Sequence, residues 1–226
     1  LTGCDLIIST GMATMIEIKQ ALSVLAYGYL CGEEPIDFTM EDFNRAYDSK
    51  SGQEQLKKHV SILHCTTEYP APFNDINLNA MDTMKDAFKL AVGYSDHSEG
   101  IIVPVAAVAK GAVLIEKHFT VDKTLPGPDH KASLCPQELK AMVDGIRTVE
   151  KVMGDGIKGP RPSEVKNKSV ARKSLVADST IEVGELFNEN NLTVKRPGSG
   201  INPLKYWHLL NKPSRKSYQS GDLIDE

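Results

Sequence analysis

The chain has 226 residues, of which 41% are hydrophobic and 25% are charged, and its formal net charge at pH 7 is −4. This composition is ordinary for a globular protein with one barrel-like domain or two smaller domains. No basic excess indicates nucleic-acid binding, and no apolar run is long enough to span a bilayer. We therefore expect a cytoplasmic protein that binds neither nucleic acid nor membrane. Its four cysteines lack CxxC spacing and are predicted to be reduced thiols.

Residues 1–153 repeat a strand-then-helix pattern four times. Apolar runs predict strands at 6–8, 60–63, 90–94 and 112–115. Helical spacing predicts helices at 14–29, 79–88, 100–111 and 136–153. The polar stretch at 32–59 is predicted to be an insertion on the outside, with two short exposed helices. Four such units make half of a (β/α)8 barrel or a small open doubly wound sheet; the absence of GxGxxG after the first strand weakens the second alternative.

The pattern changes after residue 153. A glycine- and proline-rich linker is predicted at 154–166. Beyond it, residues 167–226 show short strands and turns, at about 174–177, 192–198 and 218–224. We expect a small mixed domain there, which is marginally stable by itself because it buries little surface.

Two histidines follow neighbouring predicted strands. His97 comes shortly after the third strand and His118 shortly after the fourth, with a crossover helix between them. A strand–helix–strand unit places its two strands in parallel, so both imidazoles are expected at the same edge of the sheet. Two neutral imidazoles can hold a divalent metal ion. The alternative is a pair of unrelated histidines at the sheet edge.

Five segments together resemble the sialic acid synthase family. They are HCTTEYP at 64–70, GYSDH at 93–97, EKHF at 116–119, GPD at 127–129 and VKRPGSG at 194–200. Their order and approximate spacing agree with the family over nearly the whole chain. Several motifs in series are far more specific than any one of them alone.

The resemblance implies an α/β fold: the second half, strands 5–8, of a (β/α)8 TIM barrel, followed by a small antifreeze-protein-like (β-clip) domain. It implies condensation of phosphoenolpyruvate with an N-acetylated mannosamine-type amino sugar, using Mn²⁺ or Mg²⁺ and releasing phosphate. The product is a nine-carbon 2-keto acid of the sialic or legionaminic type, and the family works as a domain-swapped homodimer. On this basis we expect residues 1–226 alone to be inactive, because a half-barrel exposes two unpaired strand edges.

The resemblance also assigns residues, all numbered in this sequence. It implies metal ligation by two histidines, catalytic or sugar-contacting roles for two carboxylates, and substrate binding by five further side chains. These are, in that order, His97 and His118; Glu116 and Asp129; and Ser9, Thr67, Ser95, Tyr69 and Arg196. The first three of the five match phosphoenolpyruvate contacts, and Tyr69 lies near the sugar. Arg196 is expected to reach the sugar's N-acetyl group in the other subunit.

Several alternatives stay open. The chain could be another metal-dependent phosphoenolpyruvate aldol-type synthase, or a non-enzymatic binding module. The sugar could be N-acetylmannosamine or a 2,4-diacetamido trideoxy sugar, and the pair Thr67–Glu68 favours the second weakly. Glu116 could instead form an ion pair with a neighbouring lysine, and Asp96 is predicted to accept an imidazole N–H.

Overall fold

A computed structural model describes residues 3–31 and 38–225 of the chain. The chain divides into two compact units, residues 1–156 and 157–226. Among the described residues, no helix is both long and apolar enough to cross a membrane.

The first unit is built on a four-stranded parallel sheet. The strands are β1 (Leu6–Ser9), β2 (Val60–Cys65), β3 (Ala91–Asp96) and β4 (Ile115–Lys117). Each strand pairs with the next along the chain, in the order β1-β2-β3-β4. The sheet curls into a half-barrel. The parallel pairing predicted for the two histidine-bearing strands is confirmed.

Six helices accompany these strands. They are α1 (Met15–Leu30), α2 (Met40–Asp48), α3 (Lys50–His59), α4 (Ala80–Phe88), α5 (Ile102–Ala109) and α6 (Pro136–Met153). The predictions for α1, α4 and α6 are confirmed to within a residue; a capping box marks the start of α1 and a proline the start of α6.

The prediction of an exposed insertion at 32–59 is wrong for residues 38–59. Helices α2 and α3 both pack against α1. Each contributes buried side chains, namely Phe43 and Ala46 from α2 and Leu56 from α3. The mostly polar composition hid one apolar stripe per helix, which is enough for packing against a neighbouring helix. Residues 32–37 lie outside the described part of the chain.

The pleat gives the sheet two different faces. Ile62, Val92 and Tyr94 face the helices and belong to the main hydrophobic core. Leu63, Gly93 and Ser95 alternate with them and therefore face the concave side. The position of a polar residue along its strand therefore decides whether it faces the helices or the concave side.

Strand β4 lies further along the chain than predicted. The predicted strand was 112–115, whereas the observed strand is Ile115–Lys117. Glu116 pairs with Ser95 and Lys117 pairs with Asp96, so both residues belong to the strand. The prediction followed the apolar residues alone, whereas the strand pairing continues through the polar residues Glu116 and Lys117.

The start of α1 provides a test of local stability. Thr14 accepts a hydrogen bond from the Glu17 N–H, and the Glu17 carboxylate accepts one from the Thr14 N–H at 2.8 Å. Replacing Thr14 by alanine is expected to lower the free energy of unfolding by about 1 kcal/mol, because the helix loses its cap. Urea denaturation measures this. Thr148→Ala on the exposed side of α6 is the control, and an equal loss in both variants would contradict the capping role.

The second unit has its own small core. Its elements are α7 (Pro162–Ala171), the antiparallel pair β5 (Ser174–Ala177) and β6 (Leu192–Lys195), and the short α8 (Tyr206–Leu209). Leu175, Ile181, Phe187, Tyr218 and Ile224 form the centre of the core. Helix α7 begins at Pro162, inside the stretch 154–166 that the sequence predicts to be a linker.

Candidate functional site

The candidate site lies at the carboxyl ends of the parallel strands. Cys65 on β2 pairs with Ser95 on β3, and Ser95 pairs with Glu116 on β4. The three side chains therefore lie in one row on the concave face. Parallel α/β sheets carry their active sites at this edge.

His97 is held in a defined orientation just after β3. It is 8% exposed, and its Nδ1 lies 2.8 Å from the carbonyl oxygen of Thr66. A carbonyl oxygen only accepts, so Nδ1–H is the donor, and in the neutral imidazole Nε2 is then the nitrogen with the lone pair. An imidazole fixed in this way through its other nitrogen is typical of a metal ligand.

Three aromatic rings meet at this point. The ring centroids of His97 and His118 lie 5.3 Å apart with an interplanar angle of 73°. Tyr69 lies over both, with centroid distances of 4.2 Å to His97 and 5.4 Å to His118. Asp129 Oδ2 lies 3.9 Å from His118 Nδ1. Four residues that the sequence assigned to one site are therefore neighbours.

Tyr69 remains a hydrogen-bond donor in this environment. Partial burial raises the pKa of its phenol above the ordinary value, and the nearby Cys65, Asp129 and Glu116 raise it further. The hydroxyl therefore stays protonated at neutral pH. It is available to donate to an oxygen of a ligand at the mouth of the site.

Glu116 binds Ser95 rather than a lysine. The Ser95 hydroxyl donates to Glu116 Oε1 at 2.6 Å, and Ser95 is buried. The neighbouring Lys117 forms its ion pair with Asp96 instead. The alternative of an ion pair between Glu116 and this lysine is therefore wrong, and Ser95 and Glu116 form one hydrogen-bonded unit.

The predicted role of Asp96 as an imidazole acceptor is also wrong. Its Oδ1 accepts from the Tyr94 hydroxyl at 3.1 Å and from the Ser98 N–H and hydroxyl at 3.0 and 2.7 Å. Its Oδ2 accepts from Lys117 Nζ at 2.6 Å. Alternation along β3 points Asp96 away from the concave face, whereas His97 follows the end of the strand.

Ser9 and Thr67 lie at the ends of β1 and β2. Both are exposed, and Ser9 pairs in register with Leu63. A Cβ atom added at Gly11 would lie 2.2 Å from Thr67 Oγ1, so the turn after β1 packs directly against this threonine. Ser9 and Thr67 thus border the concave face at strand ends adjoining the row of Cys65 and Ser95.

Arg196 lies in the second unit. It is exposed, and its Nε–H donates to the carbonyl oxygen of Ala171 at the end of α7, at 3.0 Å. This bond uses one of the five N–H donors of the guanidinium and directs the side chain. Gly198 N–H donates to Ser169 O at 2.6 Å, so the same helix end also holds the following loop.

The loop after β4, which carries Asp129, is closed at its base. Thr120 N–H donates to Leu134 O at 2.9 Å, and Leu134 N–H donates to His118 O at 2.8 Å. Lys123 in the loop bonds Glu138 at the start of α6, and this hydrogen bond lowers the pKa of Glu138 to about 2. The loop is therefore anchored at both ends and along its length.

The site chemistry fits two ligands of a divalent ion. His97 and His118 offer nitrogen donors on neighbouring strand ends, and Asp129 offers a carboxylate beside them. Within residues 3–31 and 38–225, no group of three His, Cys, Asp or Glu side chains is arranged to hold a metal. An ion held here would therefore keep positions for oxygen ligands from water or substrate.

Polar residues at the carboxyl ends of a curled parallel sheet are the arrangement of an α/β enzyme. Residues 1–158 match the sequence model of the NeuB family, and the chain belongs to that family. The predicted relationship to sialic acid synthases is confirmed.

Similar proteins include named synthases of legionaminic and N-acetylneuraminic acid. The chain is 50% identical over 98% of its length to N,N'-diacetyllegionaminic acid synthase of Campylobacter jejuni, covering 59% of that protein. It is 41% identical over 97% of its length to the synthase of the same name from Legionella pneumophila, covering 55% of it. Its structure resembles the N-acetylneuraminic acid synthetase of Leptospira borgpetersenii, with TM-score 0.55 and 34% identity, over 73% of this chain and 48% of that one. The chain thus spans about half the length of these relatives.

Sequence reasoning missed two features of the site. The Thr66 carbonyl oxygen is a backbone group that no residue pattern marks. The pairing of Lys117 with Asp96 could have been found from the two-residue period of the strands. That period places both residues on the face opposite Ser95 and Glu116.

Proposed function

We propose that this chain forms part of an enzyme that condenses phosphoenolpyruvate with an N-acetylated mannosamine-type sugar. The product is a sialic-acid-like nine-carbon 2-keto acid, and phosphate is released. The cluster of Tyr69, His97 and His118 beside Ser95 and Glu116, at the strand ends of a NeuB-family sheet, is the observation that carries this proposal.

The wider architecture follows from the same proposal. The four parallel strands are proposed to be strands 5–8 of a (β/α)8 barrel, as the family resemblance implies, and coverage of 59% of the Campylobacter jejuni relative is compatible with a partial barrel. The unit at 157–226 is the antifreeze-protein-like domain, and its antiparallel strands and loops are compatible with that fold. The working form is a domain-swapped homodimer in which Arg196 reaches the partner's barrel.

The proposed reaction joins C3 of phosphoenolpyruvate to the aldehyde carbon of the sugar. The aldehyde oxygen takes up a proton and becomes a sugar hydroxyl, water adds at C2 with loss of a proton, and the bond between C2 and the phosphate oxygen then breaks to leave the 2-keto acid and phosphate. Ser9 and Thr67 hold the phosphate and carboxylate groups through their hydroxyls, and Ser95 joins them when its hydroxyl turns from Glu116 to the anion. Hydroxyl donors at strand ends suit an anion because they add no charge of their own.

The carboxylates of Glu116 and Asp129 accept hydrogen bonds from sugar hydroxyls and take up protons. Glu116 is oriented by its 2.6 Å hydrogen bond from Ser95, which joins the carboxylate to a residue proposed to contact phosphoenolpyruvate. Asp129 lies beside His118 on the anchored loop. One of the two carboxylates takes the proton from the attacking water as a general base.

A Mn²⁺ or Mg²⁺ ion held by His97 and His118 would act as a Lewis acid on the aldehyde oxygen. The Thr66 carbonyl oxygen orients His97, and Asp129 Oδ2 lies 3.9 Å from His118 Nδ1. The Tyr69 ring contacts both imidazole rings. Its hydroxyl donates to the sugar.

The preferred sugar is proposed to be a 2,4-diacetamido trideoxy sugar. The 50% identity to a diacetyllegionaminic acid synthase supports this choice over N-acetylmannosamine. The Thr67–Glu68 pair at the end of β2 favours the same choice.

Release of inorganic phosphate from phosphoenolpyruvate tests the function. The product of the complete gene is incubated with Mn²⁺ and, in parallel, with each of the two sugars. Sugar-dependent release, greater with the diacetamido sugar, is expected. Equal rates would defeat the proposed selectivity. Release only with a phosphorylated sugar that lacks the amide would replace the proposal with another phosphoenolpyruvate aldol-type synthase.

Replacing Arg196 by alanine is expected to raise the KM for the sugar about 10- to 100-fold while the KM for phosphoenolpyruvate changes little. The reason is the loss of hydrogen bonds from a charged donor, worth about 1.5–3 kcal/mol. Steady-state kinetics with each substrate varied in turn measures this. Lys195→Ala removes the neighbouring exposed cation, which pairs with Asp178, and is the control. An unchanged sugar KM in Arg196→Ala would remove Arg196 from the site.

A further inference from the structure

The strongest unassigned feature of the first unit is a buried ion pair between β3 and β4. Asp96 is fully buried, and the Lys117 side chain is only 3% exposed. Their Oδ2 and Nζ atoms lie 2.6 Å apart. A buried ion pair is a poor way to gain stability, because desolvation offsets most of the attraction. A role in conformational specificity is therefore the better explanation.

The polar atoms of this pair are fully engaged. Besides Lys117, the Asp96 carboxylate accepts from the Tyr94 hydroxyl and from both donors of Ser98. Lys117 Nζ donates in addition to the Ser98 carbonyl oxygen. Each buried polar side-chain atom of this network has a partner, so the network favours one geometry, because a displacement would leave a buried charge without one.

The position of the pair connects it to the two histidines. Asp96 and Lys117 are register partners in the sheet, and each directly precedes one histidine in sequence. Consecutive Cα atoms are about 3.8 Å apart, so fixing the positions of Asp96 and Lys117 restricts the positions of the His97 and His118 Cα atoms. Strand β4 has only 3 residues, and its ladder alone specifies register weakly. A slip of one residue would turn its side chains to the opposite face.

We propose that the Asp96–Lys117 pair is the positioning element of the histidine pair, setting the separation of His97 and His118 for a shared divalent ion. This rests on the proposed metal-binding function. Neither residue of the pair touches a ligand, since strand alternation places them on the face opposite Ser95 and Glu116. They act through the histidines that follow them.

The decisive variant removes both charges at once. Lys117→Met alone leaves Asp96 as an unpaired buried charge, and its failure to fold would reveal nothing about the site. The double variant Asp96→Leu, Lys117→Met avoids this, because apolar residues replace buried ion pairs with little loss of stability. Asp82→Asn, Lys110→Met removes the less buried pair between α4 and α5 and is the matched control. Ile62→Val, a core change in β2, controls for a general loss of stability.

Two measurements are made on the product of the complete gene. Mn²⁺ affinity, from the paramagnetic resonance signal of free Mn²⁺, is expected to fall about 10- to 100-fold in the double variant Asp96→Leu, Lys117→Met, the range for lost outer-sphere support. It should not change in either control. A metal-free crystal structure of the double variant is expected to show the His97–His118 centroid distance changed from 5.3 Å.

The outcomes separate this proposal from the proposed function. Unchanged imidazole separation and unchanged Mn²⁺ affinity in the double variant would overturn the positioning role. A changed separation supports it even if the unaltered protein binds no Mn²⁺, a result that would count against the metal site alone. An equal loss of Mn²⁺ affinity in Ile62→Val would mean that the Asp96–Lys117 pair acts only through the general stability of the protein, and it would overturn the proposal.

Discussion

Replacing His97 by alanine is expected to lower Mn²⁺ affinity by at least about 100-fold, more than the usual loss of an outer-sphere partner. Sugar-dependent phosphate release should disappear with it. The physical reason is that the Thr66 carbonyl oxygen, 2.8 Å from His97 Nδ1, occupies that nitrogen and leaves Nε2 as the nitrogen that can bind an ion. Calorimetric titration with Mn²⁺ and a phosphate-release assay measure the two effects.

The control for this experiment is His208→Ala, which removes an exposed imidazole from the second unit. It should leave both Mn²⁺ affinity and phosphate release unchanged. Wild-type Mn²⁺ affinity in His97→Ala would refute metal ligation by this residue. Loss of phosphate release with intact Mn²⁺ binding would instead give His97 a role in holding the substrate.

A second large effect is expected at Gly93, in the centre of the sheet. A Cβ atom added there would lie 2.5 Å from Leu63 Cδ2 and 2.6 Å from the carbonyl oxygen of Leu114. The Leu114 carbonyl accepts a hydrogen bond from Tyr94 N–H at 2.9 Å, so the oxygen cannot move away without breaking the ladder. Gly93→Ala is expected to lower the free energy of unfolding by about 3 kcal/mol, the upper end for overpacking.

Gly28 is the matched control because nothing lies within 4 Å of a Cβ atom added there. It lies within α1, where alanine is favoured over glycine by about 1 kcal/mol. The two glycine-to-alanine changes should therefore shift the urea midpoint in opposite directions. A Gly93→Ala protein as stable as the wild type would mean that β4 can move away from β3.

The sequence predicts the helices well because their signals are local. Thr14 with Glu17, and Pro136 at the first position of α6, mark helix starts that the structure reproduces. The layer formed by α2 and α3 was missed because its burial depends on α1, a neighbour that a polar local pattern does not reveal. Helix propensity and hydrophobic periodicity depend only on the residues of a segment. The burial of that segment depends on which other elements pack against it.

The candidate site shows the same division. Topology alone brings His97 and His118 to one edge, and the structure places their rings 5.3 Å apart. The partners of Asp96 and Glu116 could not be predicted from residue type, because a carboxylate accepts equally from an imidazole, a hydroxyl or an ammonium group. Side-chain direction decides between these donors, and that direction depends on where β4 begins.

The closed base of the loop after β4 has a consequence for how the loop tolerates changes of sequence. Thr120 and Leu134 bond the two ends of the loop together, and Lys123 bonds Glu138, so the other residues between the ends can change without disturbing the strands. Asp129, which lies 3.9 Å from His118, is carried on this segment. Changes around Asp129 are therefore expected to alter the surroundings of His118 while both histidines stay in place.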